Sequence, residues 1–275
     1  MSDARSAAER WRDDLGSWAI PQPILDAAPE SPWGFPVALF ANRADRARVP
    51  TPSDLRASEA LPEGGSVLDV GCGAGASSLP LAGRAGRLTG VDGSVGMLDA
   101  FRERVEAAGD ACTTIEGNWP DVAGDAPIAD VVVCYHVVYN VPEPVPFVRA
   151  LSSHADRRVV LEMTQRHPLS DLNDLWIRFH GLERPTRPTA DDFVAVLREM
   201  GVSPSREDWE PRDWSGGFTR REDLVAFIRK RLCLTADRDA AVWEAIEDRA
   251  VERDGTIGLP PRSNVTLSWE GSAGG

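Results

Sequence analysis

The chain has 275 residues, with 30 Lys and Arg against 43 Asp and Glu, and a formal net charge of −13. That balance argues against free DNA or RNA binding as the main role, because a nucleic-acid face needs clustered cations. Hydrophobic residues make up 42%, enough for a substantial core in one large domain or a domain with an elaborate lid.

Residues 3–19 read as a helix with Trp11, Leu15 and Trp18 on one face. The segment carries no apolar h-region, so a signal peptide is not expected. A proline-broken stretch containing "SPWGFP" follows, in which Trp33 and Phe35 are candidates for the wall of an acceptor site. Then come short helices near Val37–Arg48 and at 54–61. From Ser66 strand and helix alternate. Strands are expected at Val67–Val70, Leu88–Asp92, Cys112–Glu116, 129–137 ("ADVVVCYHV") and 157–164 ("RRVVLEMT"). Helices are expected from about Gly75 to Gly83, from an N-cap at Ser94 to near Gly109, and at 143–154.

Apolar strands between amphipathic helices predict a parallel sheet covered on both faces. Thr189 caps a helix closed by Gly201, and a strand over 202–210 follows. Two more helices begin at a Thr219/Glu222 capping box and at Thr235, the second ending near Gly255. "SNVTLSWEG" alternates and reads as a last edge strand. The expected architecture is an α/β, Rossmann-like, doubly wound, mostly parallel seven-stranded sheet. It has a helical N-terminal cap (1–62) and a main domain (63–275) with lid insertions near 166–189 and 211–260. The second insertion precedes an antiparallel edge strand.

The stretch "VLDVGCGAG" (Val67–Gly75) carries the strongest chemical signal. A strand entering a glycine-rich turn exposes backbone N–H groups and lets a ligand approach where Cβ atoms are missing. "GCGAGA" fits GxGxxG/A, so a dinucleotide site is allowed. "DVGCGAG" equally fits D/E-x-G-x-G-x-G. Asp69, two residues before the first glycine, would repel a pyrophosphate but suits the ammonium of a methionine moiety. Asp92 ends the next strand, where a carboxylate takes ribose hydroxyls. Asn118 and Trp119, in "EGNWPD", are placed to bond and cover an adenine.

With "VDGS", "ML", "GNWPDV" and "ADVVVC" in order, residues 64–165 resemble the core of a class I S-adenosylmethionine (SAM) methyltransferase of the small-molecule type. The resemblance implies SAM as cofactor. It places Gly71, Cys72 and Gly73 against the methionine portion, where the charge of Asp69 also suits the ammonium, and Asp92 on the ribose. Gly93 and Met97 would lie beside the adenosine, Asn118 and Trp119 at the base, and Cys134 along the cofactor floor. Asn118 stands where the family usually carries an acid.

Transfer from a sulfonium needs collinear reactants and a dry site, and a base only where the acceptor starts protonated. His136, at the end of the fourth strand, is the candidate base. Tyr139 and Glu162 are further catalytic candidates, although a carboxylate inside an apolar strand first calls for a cationic partner, ordinarily an arginine. Tyr135, His167, Trp176 and His180 are candidates to line the acceptor pocket. No metal-ligand spacing links the histidines to acids or cysteines. Cys72, Cys112, Cys134 and Cys233 form no CxxC pair and read as reduced thiols in a cytoplasmic protein. The expected partner is a small molecule, with no nucleic acid or membrane, in a monomer or homodimer. Two other readings stay open: an NAD(P)-dependent oxidoreductase and a non-catalytic SAM-binding protein.

Overall fold

The structure, a computed structural model, describes residues 5–33, 49–211 and 217–273. Phe35 and the short helix expected near Val37–Arg48 lie outside the described residues.

The parallel strands are β1 (Gly65–Val70), β2 (Ala85–Asp92), β3 (Ala111–Glu116), β4 (Ala129–Tyr135) and β5 (Ala155–Thr164). β6 (Ser205–Trp209) and β9 (Asn264–Glu270) complete a seven-stranded sheet of order β3-β2-β1-β4-β5-β9-β6. Strands β1 to β5 pair in parallel, and β9 runs antiparallel to both neighbours. The reading of "SNVTLSWEG" as the last edge strand is therefore corrected. β9 lies inside the sheet, buried along six of its seven residues, and β6 is the edge. Its polar residues are tolerated because distant groups satisfy them: Thr266 shares a hydrogen bond with Ser53 at 2.6 Å and accepts from the Trp209 indole at 3.0 Å.

Strand residues alternate between two cores, as a doubly wound sheet requires. Leu68, Val70, Val132, Val159 and Leu161 face α1 (Ala7–Gly16), α5 (Pro144–Ser153) and α7 (Ala190–Glu199). Val67, Leu88, Val131, Val133 and Val160 face α3 (Pro52–Ala60) and α4 (Val95–Ala107). Trp11 on α1 is fully buried, edge-on to Phe193 of α7 with ring centroids 5.1 Å apart. The first helix thus belongs to a sheet-covering layer.

A third cluster joins α2 (Gln22–Ala27), α6 (Asn173–His180), α8 (Arg221–Arg231), α9 (Asp239–Ile246) and the antiparallel pair β7 (Val251–Arg253) and β8 (Thr256–Gly258). The inserted helices pack with Ile20 and Ile24 from the N-terminal segment. The boundaries differ from expectation in two places. α8 starts at Arg221 with no side-chain cap, so the Thr219/Glu222 box does not form. The helix expected to reach Gly255 ends at Ile246 and gives way to the β7–β8 hairpin. Asp254 and Gly255, both at positive φ, make its turn, the conformation that an Asp-Gly pair favours between strands.

Candidate active site

The strand order reverses between β1 and β4, so a crevice opens at their carboxyl ends. Into it runs the glycine turn. The expected helix from Gly75 to Gly83 does not form; a three-residue 3-10 turn (Leu79–Leu81) stands in its place. Pro80 falls within that turn, and Gly75 and Gly83 both take positive φ. A dinucleotide site rests its pyrophosphate on a helix N-terminus directly after the glycines, and this chain supplies none there.

Each glycine answers to a different neighbour. Gly71 sits at φ +73°, and a Cβ there would collide with the Val137 side chain. Gly75, at φ +94°, is confined by Leu79 and Phe101. Gly73, at φ +50°, has nothing within 4 Å of where a Cβ would stand. The empty volume of the turn is therefore at Gly73, where a bound group can approach the backbone.

Asp92 ties this turn to the next loop. Its Oδ2 accepts the Gly73 N–H at 3.0 Å and its Oδ1 the Ser94 N–H at 2.9 Å. Ser94 occupies the N-cap position of α4 but makes no side-chain cap bond, so Asp92 serves that loop instead. The carboxylate is half-buried, and each oxygen keeps acceptor capacity for a ribose hydroxyl. Gly93 and Asn118 face one another: a Cβ on Gly93 would lie 3.0 Å from Asn118 Oδ1. Asn118 is exposed and Met97 half-buried at the same edge. Trp119 is turned into the core, its indole N–H donating to the Phe147 carbonyl at 3.4 Å. Cys72 and Cys134 are buried, and burial pushes both thiols well above their ordinary range. They act as small core fillers.

Asp69 is fully buried, with Oδ2 accepting from the Ser77 hydroxyl at 2.5 Å and Oδ1 without a partner among the described residues. Ser77, which sequence reasoning passed over, is thus part of the turn. Burial pushes the Asp69 carboxyl up to about 7, Asp92 adds repulsion, and the Ser77 and Ser78 hydroxyls pull the other way. The folded chain then holds this proton more tightly than the unfolded chain, whose carboxyl titrates near 3.8. The stabilisation is complete below the unfolded value and is lost as pH rises toward the folded one. Stability is expected to fall across that window, and Asp69→Asn should flatten the fall. Urea midpoints at about pH 5 and about pH 8 read this slope directly; equal slopes in both proteins would remove Asp69 as its source.

At the end of β4, His136 takes φ +61°, a conformation uncommon outside glycine that concentrates at functional sites. Its N–H donates to the Glu162 carbonyl at 2.8 Å, and its Nε2 lies 2.9 Å from Glu162 Oε1. The side-chain contact has ion-pair distance without hydrogen-bond alignment. Glu162, on β5, is 4% exposed against 28% for the His136 side chain. A histidine is thus one of the groups facing this carboxylate. Val137, the next residue, is the side chain packed over Gly71, so the His136 backbone adjoins the glycine turn.

The remaining candidates divide. Tyr139 is bound at the end of β5: its hydroxyl shares a hydrogen bond with Thr164 Oγ1 at 2.7 Å and accepts the Thr164 N–H. Burial raises its phenol further. Tyr135 is half-buried against the second core. His167 stacks on Trp18 with centroids 3.9 Å apart, and burial, aided by Arg184 and Arg262, lowers it to about 4. Trp176 and His180 lie farther off, in the helical cluster, where His180 Nε2 bonds the Leu232 carbonyl at 2.6 Å. They do not share one wall with Tyr135. Instead a cavity of about 410 Å³ opens beyond β5, lined by Thr164–Arg166, Ser170, Asp171, Arg249 and Leu259–Ser263. Sequence reasoning missed its arginines; the available signal was the position of Arg166 just after β5 and of Arg262 just before β9, while Arg249 carried none. Among the described residues no cluster of His, Cys, Asp and Glu could hold a metal, and no helix is long and apolar enough to cross a membrane.

A methyltransferase-domain family model matches residues 67–156, the stretch from β1 to the start of β5. A Haemophilus influenzae (strain Rd) relative, described only as an uncharacterized protein, is 35% identical over 206 residues, 74% of this chain and 75% of the relative. The chain belongs to the class I SAM-dependent methyltransferases. Its cofactor is S-adenosyl-L-methionine. Two solved structures share the fold of this methyltransferase. One, from Bacillus halodurans C-125 and assigned as a methyltransferase, is 16% identical with a TM-score of 0.53, covering 79% of this chain and 96% of the other. The other, a cyclopropane-fatty-acyl-phospholipid synthase-like protein from Lactobacillus casei ATCC 334, is 18% identical with a TM-score of 0.51, covering 90% and 97%.

Proposed function

We propose that this methyltransferase methylates an oxygen or nitrogen of a small-molecule acceptor held at the carboxyl ends of β4 and β5, with His136 receiving the acceptor's proton. When bound, S-adenosyl-L-methionine supplies a methyl group already activated on a sulfonium. The open space at Gly73 and the spare acceptor capacity of Asp92 fit such a group. Asp92 would hold the ribose, and Gly93, Met97 and Asn118 the adenosine. Asp69, closed off behind Ser77, would act by shaping the turn and its charge.

The observation that carries the reading is the His136–Glu162 pair, 2.9 Å apart beside the glycine turn. A base whose far nitrogen faces a carboxylate is held in one orientation and stabilised once protonated. With Nε2 turned to Glu162, Nδ1 is the nitrogen left to take a proton. Bent catalytic contacts of this kind commonly align only with substrate in place. The inserted segment supports an acceptor site here, since its Arg249 and Leu259 line the cavity on one side while Thr164 at the end of β5 lines it on the other. Four unpaired cysteines suit a reducing compartment. The net charge of −13 supports a small-molecule acceptor over nucleic acid.

A screen of phenols, hydroxy acids and amines, read by S-adenosylhomocysteine release, tests the reading. Turnover is expected on at least one hydroxyl or amine. Tight S-adenosylhomocysteine binding with no release on any acceptor would favour a non-catalytic role.

A further inference from the structure

The cavity beyond β5 is lined by three arginines from three separate segments: Arg166 after β5, Arg249 after α9, and Arg262 before β9. Their charges are unequally spent. Arg262 Nε donates to the Asp171 carboxylate. Arg249 Nη1 donates to the Asp171 carbonyl at 3.2 Å and to Asp174 Oδ1 at 3.3 Å. The other edge of the Arg249 guanidinium, Nε and Nη2, carries no hydrogen-bond partner among the described residues and is closed off from the cavity's solvent, so an oxyanion reaches it only when the side chain turns. That edge is the one that grips an oxyanion through two parallel N–H bonds. Shielded donors of this kind are costly to leave unmade. The Arg166 guanidinium also has no described ion pair. The positive field reaches the neighbouring groups: Arg262 lowers both His167 and the Tyr139 phenol electrostatically. In a chain of net charge −13, guanidinium groups left over at a cavity mark a local exception.

We propose that this cavity binds an oxyanion group, carboxylate or phosphate, carried by the methyl acceptor, with Arg249 and Arg166 as its principal ligands. The inference rests on the acceptor reading above and narrows its substrate class to anionic small molecules. The layout suits it. Along the sheet edge come the glycine turn after β1, His136 after β4 and the arginines after β5. Two strand spacings of about 4.8 Å separate the first from the last. His136 is not among the residues lining the cavity, so the proposal requires an acceptor long enough to reach from the arginines back to the end of β4.

Calorimetric titration tests this with two probes, inorganic phosphate and succinate, each with and without saturating S-adenosylhomocysteine. At least one probe is expected to bind the wild-type protein, and Arg249→Gln and Arg166→Gln should each weaken that binding at least tenfold. S-adenosylhomocysteine affinity should stay within about twofold in both variants. The two probes separate phosphate from carboxylate recognition. Arg166→Gln, at an exposed position, keeps the test valid if Arg249→Gln disturbs folding. Unchanged probe affinity in Arg166→Gln and in folded Arg249→Gln, or no binding of either probe, would overturn the proposal. Failure of S-adenosylhomocysteine itself to bind would count instead against the cofactor site, and the titrations without it still decide the anion site.

Discussion

His136→Ala is expected to lower turnover by about 10²- to 10⁴-fold, the usual contribution of a positioned general base. S-adenosylhomocysteine affinity should change little, because the imidazole faces Glu162 and not Asp92 or Gly73. The substitution also removes the imidazole from beside the Glu162 carboxylate. Glu162→Gln therefore makes the complementary test: it preserves shape, removes the charge behind the imidazole, and should lower turnover of a phenol or alcohol as well. An acceptor methylated on an already neutral amine would escape both losses, since no proton then has to leave before transfer. Unchanged turnover of a phenol or alcohol by His136→Ala would remove the histidine as base. A large loss of S-adenosylhomocysteine binding would instead recast it as part of the cofactor wall.

The sheet and the glycine turn were legible in the sequence because both rest on local pattern. Runs such as Val131–Cys134 and Val159–Leu161 are apolar without interruption, as strands buried on both faces must be. What escaped depends on partners far along the chain. β9 reads as half-exposed because Thr266 and Ser268 alternate with apolar residues. It is interior because Ser53 and Trp209 satisfy Thr266. The missing helix after the glycines reflects Pro80 and a serine whose hydroxyl is committed to Asp69 instead of a cap. His136 and Glu162 are 26 positions apart, brought together because β4 and β5 pair with Tyr135 opposite Glu162. The turn "RDGT" carried a hairpin signal, overridden by the helical periodicity before it. The arginine cavity joins residues 164–171 to residues 249–263, which no local reading assembles.

Asp92 bears the central claim, that the nucleoside is held at the glycine turn by the carboxylate ending β2. Asp92→Ala would forfeit two hydrogen bonds from ribose hydroxyls to a charged acceptor, at about 1.5–3 kcal/mol each. That corresponds to a loss of about 10²- to 10⁴-fold in S-adenosylhomocysteine affinity. The same change frees the Gly73 and Ser94 N–H groups. Water can reach this half-exposed loop, so the folding penalty should be smaller, about 1–2 kcal/mol. Calorimetric titration of S-adenosylhomocysteine into wild type and Asp92→Ala, with melting temperatures from the same samples, compares the two losses. The account predicts that affinity falls at least a hundredfold while the fold survives. An affinity within about threefold of wild type, in a folded variant, would contradict it.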